Sequence, residues 1–161
     1  MSKTETIVAT SGGFDPLHIG HVRLFKEARK LGDKLVVIVN SDEWLIRKKG
    51  FVFMPLKQRL EMVMSIKGVD EVMVWDDGTP TVSGALKKLK PNIFAKGGDR
   101  VNLDSVPESV ICKEIGCKII FDVGKGGKVE SSSWLLKRFL ENSQDMKSSI
   151  QIKIKHKKDK S

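Results

Sequence analysis

Residues 7 to 31 dictate the first unit of the fold. An apolar run, Ile7-Val8-Ala9, passes through Ser11-Gly12-Gly13-Phe14-Asp15-Pro16-Leu17 into His18-Ile19-Gly20-His21 and then an amphipathic segment. The run reads as a buried strand, and the glycine pair allows a sharp turn and close approach to a ligand. Leu24, Ala28 and Leu31 recur at i, i+4 and i+7 with Phe25 beside them, so the spacing predicts a helix beginning near His18. Three residues apart on its first turn, His18 and His21 share one helix face. Unpaired amides and the positive end of the helix dipole point the same way, which favours an anion there. Two imidazoles add donors for a phosphoryl oxygen, although helix-start histidines can also merely cap or pack.

The pattern continues as alternating strands and helices. Leu31-Gly32-Asp33 supplies a helix stop, with the glycine expected in the left-handed region, and Leu35-Val36-Val37-Ile38-Val39 reads as a second strand. A parallel β-α-β unit follows, and its near-continuous apolar strand suits burial on both sheet faces. Ile46-Arg47-Lys48-Lys49-Gly50 places three positive charges in an expected loop. Pro55 opens a helix with Leu56, Leu60 and Val63 as its buried stripe and Arg59 off centre. Strands are expected at 69–75, 91–95 and 117–122, with helices at 81–89, at 106–115 and after Ser131-Ser132-Ser133. Ligands in such open sheets sit beyond the carboxyl ends of the strands, so Lys96-Gly97-Gly98-Asp99-Arg100 should border the same cleft as His18.

With 161 residues and 40% hydrophobic content, one core and one domain are expected, at 1–142, followed by a basic tail at 143–161. There Lys147, Lys153, Lys155, Lys157, Lys158 and Lys160 flank or interrupt an Ile-Gln-Ile-Lys-Ile alternation, read as partly disordered or a short edge strand. No aromatic residue interleaves with those lysines, so nucleic acid is not the expected partner despite a net charge of +9. No run of eighteen apolar residues occurs, and Met1-Ser2-Lys3-Thr4-Glu5 lacks the order of a signal peptide. A cytoplasmic protein without membrane insertion is expected. Cys112 and Cys117 lack metal-ligand spacing and read as small core residues.

Gly12-x-Phe14-Asp15-x-x-His18-x-Gly20-His21 resembles the signature of the cytidylyltransferase-like nucleotidyltransferases, whose H-x-G-H motif handles the α-phosphate of a nucleoside triphosphate. Later segments resemble the family in order. The basic loop, the Gln58-Arg59 pair and Val69-Asp70-Glu71-Val72 are similar to glycerol-3-phosphate cytidylyltransferase, whereas Pro91-Asn92-x-x-x-Lys96-Gly97-Gly98-Asp99 is similar to the heptose-1-phosphate adenylyltransferase branch. Arg100 stands where that branch carries tyrosine. Ser131-Ser132-Ser133 resembles the family's closing I-S-T-T segment, where one serine is expected to cap and the others to meet the nucleotide.

The resemblance implies a Rossmann-like, doubly wound, three-layer α/β/α fold with a five-stranded parallel sheet, usually dimeric. It implies nucleotidyl transfer from a nucleoside triphosphate to a phosphorylated small molecule, with ATP and a heptose-type sugar 1-phosphate ahead of CTP and glycerol 3-phosphate. A non-catalytic nucleotide sensor and a nucleic-acid-binding adaptor are the alternatives of a different class. The expected catalytic residues are His18, His21 and Lys48. Gly12, Gly13, Phe14, Asp15, Gly20, Lys96, Gly97, Asp99, Ser131, Ser132 and Ser133 are expected at the nucleotide, and Lys49, Arg59, Arg100 and Lys128 at the acceptor or its phosphate. Mg²⁺ is expected to arrive with the triphosphate, with Asp15 as its only candidate protein contact.

Overall fold

The computed structural model describes residues 4–98, 102–124 and 130–143. The elements alternate as the sequence requires. In chain order they are β1 (Ile7–Gly12), α1 (Ile19–Arg29), β2 (Lys34–Asn40), α2 (Asp42–Lys49), α3 (Leu56–Met64), β3 (Glu71–Trp75) and α4 (Ser83–Leu89). Then come β4 (Ile93–Ala95), a 3-10 turn (Leu103–Ser105), α5 (Ser109–Ile115), β5 (Lys118–Ile120) and α6 (Ser132–Glu141). The five strands lie in the order β3-β2-β1-β4-β5, and every adjacent pair is parallel. The chain winds outward from β1 through β2 to β3, then returns to the other side of β1. Between the carboxyl ends of β1 and β4 the winding reverses, and there an open parallel sheet leaves a crevice.

Alternation along the strands assigns the two faces. Val8, Leu35, Val37 and Val39 pack with Leu24, Phe25 and Ala28 of α1 and Val63 of α3. Ala9, Ile38 and Phe94 point the other way, onto Ala85 and Leu86 of α4 and Cys112 of α5. That makes three layers. Cys112 and Cys117 are both buried free thiols in the second of these clusters, as expected. No helix among the described residues is long and apolar enough to cross a membrane. Residues 144–161 of the expected tail lie outside the described residues.

Two local expectations are overturned. Arg47, Lys48 and Lys49 lie in the last turn of α2 and not in a loop. The caps explain why: Ser41 accepts from the Trp44 amide, Asp42 and Glu43 occupy the positive end, and Gly50 closes the helix at φ 86°. Three cations in the last turn complement the negative end of the dipole. The second correction concerns Gly32, which does not have positive φ. A Cβ at that position would lie 2.6 Å from the Thr6 carbonyl oxygen and 2.7 Å from a Val8 methyl, so glycine is needed for close passage beneath β1. Asp70, left open between a site role and a turn, accepts from the Leu35 amide at 2.7 Å and pairs with Arg29 at 2.9 Å. It ties β3 to β2.

Candidate active site

The crevice is a cavity of about 560 Å³ bounded by Gly12, Phe14, His18 and His21 on one side and Lys96, Gly97 and Gly98 on the other. Lys48, Glu130, Ser131 and Ser132 complete its rim. The expected β1–α1 and β4 turns therefore do meet across the switch point. The left-handed residue of the first turn is Phe14, at φ 52°, and neither Gly12 nor Gly13 has positive φ. The glycines serve close approach instead: a Cβ on Gly13 would lie 2.7 Å from a Leu45 methyl. Gly13 itself does not line the cavity. Phe14 is buried and presents its ring nearly at right angles to His21, 4.9 Å between centroids, so it walls the second histidine.

Both histidines are held through their own helix. His18 is the N-cap of α1, and its Nδ1 accepts from the Gly20 amide at 3.1 Å. His21 Nδ1 accepts from the His18 amide at 3.2 Å. An imidazole whose Nδ1 accepts carries its proton on Nε2, so each ring has one remaining donor to offer a ligand. The rings stack with centroids 3.7 Å apart and planes 28° from parallel. Gly20 is required for this arrangement, because a Cβ there would lie 2.9 Å from Cε1 of His18. The H-x-G-H spacing thus encodes a reciprocal cap that presents two Nε2–H donors together.

Burial depresses the pKa of both rings. His21 falls to about 3, through desolvation first and then repulsion from His18. His18 is lowered by its own desolvation, which the nearby Glu130 carboxylate opposes. At neutral pH the pair is uncharged. The sign of the stability effect follows: between pH 6.5 and about 3 the unfolded chain binds a proton at position 21 that the native state refuses. Stability is complete above pH 6.5 and falls on acidification, with His21 contributing a slope of up to about 1.4 kcal/mol per pH unit. Thermal or urea unfolding at pH 7, 6 and 5 should show H21N losing less stability than the parent by that increment. Parallel curves for the two proteins would mean that position 21 is not buried neutral.

The cations separate into three roles. Lys48 borders the cavity with Nζ 4.5 Å above the Trp44 ring. Lys96 borders it at the end of β4, with Nζ 4.7 Å above Phe94 and 3.9 Å from Glu108. Lys49 turns inward, contrary to expectation, and donates to the Asp15 carbonyl and carboxylate, both at 2.8 Å.

Arg59 is the larger correction. It is fully buried, and donates to the carbonyls of Gly13 and Asn40 at 2.7 Å and of Met54 at 2.9 Å, and to the Asp42 carboxylate at 2.6 Å. It braces the β1–α1 turn from beneath and does not border the cavity.

Asp15 is likewise structural. Its carboxylate accepts from the Phe53 and Met54 amides at 2.8 and 2.5 Å and pairs with Lys49. Burial alone would raise its pKa, but the Lys49 hydrogen bond and the two amides outweigh burial and leave it lowered. Three contacts occupy its oxygens, and Asp15 does not border the cavity. No group of three or more His, Cys, Asp or Glu able to hold a metal occurs among the described residues. The described residues do not fit a protein-built magnesium cage.

At the far rim, Ser131 caps α6 by accepting from the Trp134 amide at 3.1 Å. Ser132 donates to the Pro16 carbonyl at 2.8 Å, which clamps α6 onto the β1–α1 turn. Ser133 lies in the first turn of α6 and does not line the cavity. Asp99, Arg100 and Lys128 lie outside the described residues. Glu130 was missed. Among the described residues lining the cavity it is the carboxylate, held by Arg138 at 2.5 Å and the Ser131 amide at 3.0 Å. Its position directly before a serine cap was the available signal.

A family model described as cytidylyltransferase-like matches residues 9–120, from inside β1 to the end of β5. The chain belongs to the cytidylyltransferase-like family. Among curated relatives, the bifunctional protein HldE of Streptomyces coelicolor is 41% identical over 140 residues, covering 86% of this chain and 29% of that protein. The bifunctional protein HldE of Hahella chejuensis is 45% identical over 97 residues, 59% of this chain and 20% of that protein. The chain therefore spans less than a third of the length of either relative. Among solved structures, a lipopolysaccharide core biosynthesis protein from Thermoplasma volcanium superposes with a TM-score of 0.61 at 28% identity, over 73% of this chain and 95% of that one.

Proposed function

We propose that this domain transfers a nucleoside monophosphate from a nucleoside triphosphate to a phosphorylated small molecule, with ATP and a heptose-type sugar 1-phosphate as substrates. The observation that carries the reading is the pair of backbone-locked, stacked histidines at the start of α1, facing Lys96 across a crevice wide enough for a nucleotide. An oxygen of the acceptor phosphate attacks the α-phosphorus in line. The α–β bridging P–O bond breaks, and its electron pair leaves with pyrophosphate. The acceptor is already ionised at neutral pH, so no strong general base is needed. The demand is to bring two anions together and stabilise charge that grows on the α-phosphate. The Nε2–H donors of His18 and His21 and the positive end of the α1 dipole meet it without a protein-bound intermediate, while Lys48 and Lys96 offset the approaching charge.

A second cavity of about 310 Å³, bounded by Trp44, Arg47, Lys48 and Gly78-Thr79-Pro80, supports a place for the acceptor. Lys48 borders both cavities and can bridge the two phosphates. Arg47, paired with Asp76, puts a guanidinium at its wall. This assignment replaces Lys49 and Arg59 as acceptor contacts. Mg²⁺ would arrive with the triphosphate and offset its charge. The similarity to the HldE proteins favours the sugar 1-phosphate reading over glycerol 3-phosphate. A homodimer in the cytoplasm, acting on small molecules and not nucleic acid, completes the proposal.

Pyrophosphate release over a grid of four triphosphates against heptose 1-phosphate, other sugar 1-phosphates and glycerol 3-phosphate tests it. Turnover should be highest with ATP and heptose 1-phosphate. A maximum with CTP and glycerol 3-phosphate moves the protein to the other branch. Triphosphate binding without release from any pair makes it a sensor.

A further inference from the structure

Asp76 follows β3, outside the segments that carry the family resemblance, and its carboxylate gathers three donors. Oδ1 accepts from the Gly78 amide at 3.0 Å and from Nη2 of Arg47, while Oδ2 accepts from Ser41 Oγ at 2.5 Å. Those donors belong to the two segments that bound the second cavity. Ser41 caps α2 and Arg47 lies in its last turn, so one carboxylate grips that helix near both ends. Gly78 begins the other segment, Gly78-Thr79-Pro80. Asp76 itself does not border the cavity.

An exposed ion pair alone orders little, and the Arg47 side chain is 46% exposed. Here the anion is the more sheltered partner, at 19%, and Ser41 and Gly78 fix it independently of the guanidinium. It is therefore an anchored acceptor, able to select one placement of a long side chain from the many open to it. Its charge makes the Arg47 hydrogen bond about twice as strong as a neutral oxygen would. Because Asp76 engages Nη2 alone, one whole edge of the fork remains for a phosphate, which arginine holds bidentately.

We propose that Asp76 is a positioning residue for the acceptor, aiming the Arg47 guanidinium at the phosphate of a sugar 1-phosphate and holding the Gly78-Thr79-Pro80 segment in place beside it. The inference rests on the assignment of the second cavity to the acceptor and adds a residue that never touches the substrate. Loss of the carboxylate releases Arg47 and the turn together, and the cost falls on binding of the acceptor in ground and transition state alike. KM for the acceptor should therefore change, whereas kcat and nucleotide binding should not.

Steady-state kinetics with ATP and heptose 1-phosphate, paired with calorimetric titration of ATP alone, separate this role from a structural one. D76A should raise KM for heptose 1-phosphate about tenfold, with kcat and the Kd of ATP within about twofold of the parent. D76N, which keeps a neutral oxygen for Arg47 and Gly78, should recover part of the loss. R47M should weaken the acceptor at least as much as D76A, and D76A/R47M no further than R47M alone. An acceptor KM in D76A equal to the parent's, an ATP Kd that rises in step with it, or losses that multiply in the double variant overturns the inference. Should D76A not fold, D76N carries the test: a rise in acceptor KM of about threefold supports the role, and the parent's value overturns it. A parent that does not turn over this pair, or an acceptor KM that R47M leaves unchanged, overturns the cavity assignment and this inference together. A defect in R47M with none in the Asp76 variants overturns this inference alone.

Discussion

Alanine at His18 or His21 should lower turnover by about a hundredfold or more, the loss typical of removing one preorganised donor to a developing oxyanion. On the proposed reaction the effect should appear in kcat, because each ring is then a donor to charge that grows only as the α-phosphorus is attacked. The reciprocal cap complicates the simplest variant. His18 Nδ1 is the acceptor for the Gly20 amide, so H18A also uncaps α1 and should cost about 1 kcal/mol of stability. H18N resolves the two contributions, since asparagine is a good N-cap but places no donor where Nε2 stood. The expected result is an H18N protein with the melting temperature of the parent and the turnover of H18A. If H18N turns over at the parent rate, the histidine is a cap only. Because the two rings share one reacting phosphate and hold each other in place, H18N/H21A should be far less than multiplicatively worse than either single variant.

This donor pair was legible in the sequence because its chemistry is local. A strand, a glycine turn and two histidines three residues apart on a helix start already place the rings together, and the structure adds only the tautomer and the stacking. The parallel sheet was legible for the same reason, since apolar runs alternating with amphipathic segments leave such a sheet as the way to bury both kinds of face. What the sequence hides is direction. Lys48 and Lys49 are neighbours with the same side chain, yet helix geometry turns one toward the cavity and the other into the Asp15 carboxylate. Only the α2 cap signals, Ser41 before Asp42-Glu43 and Gly50 after, carried that information. Glu130 was legible only through its place directly before a serine cap, because the Arg138 that holds it lies eight residues further on and no residue pattern announces such a pair.

Arg59 offers the sharpest contrast between a phosphate contact and a structural brace. R59M should lower stability by about 3–5 kcal/mol, because it strands buried acceptors and leaves Asp42 without its cation. The carbonyls of Gly13, Asn40 and Met54 come from three separate segments, β1's turn, the end of β2 and the approach to α3, and the guanidinium joins all three. Asp42 then carries the network into α3 by accepting from the Leu56 amide at 3.2 Å. At roughly 2–4 °C per kcal/mol for a chain of this size, the melting temperature should fall by about 10 °C or more. R59K should recover only a fraction, because one ammonium cannot span the fork that reaches the Gly13 and Asn40 carbonyls and the Asp42 carboxylate. An arginine that bound substrate phosphate would behave in the opposite way. R59K and R59M would then melt with the parent and raise KM, and the defect would shrink with added salt, which screens an exposed contact far more than a buried one. Melting curves and KM measured on the same preparations of R59K and R59M decide between them. The arrangement beneath the corner requires that the melting temperature move first and that triphosphate binding fail only as the Gly12–Phe14 turn loses its support.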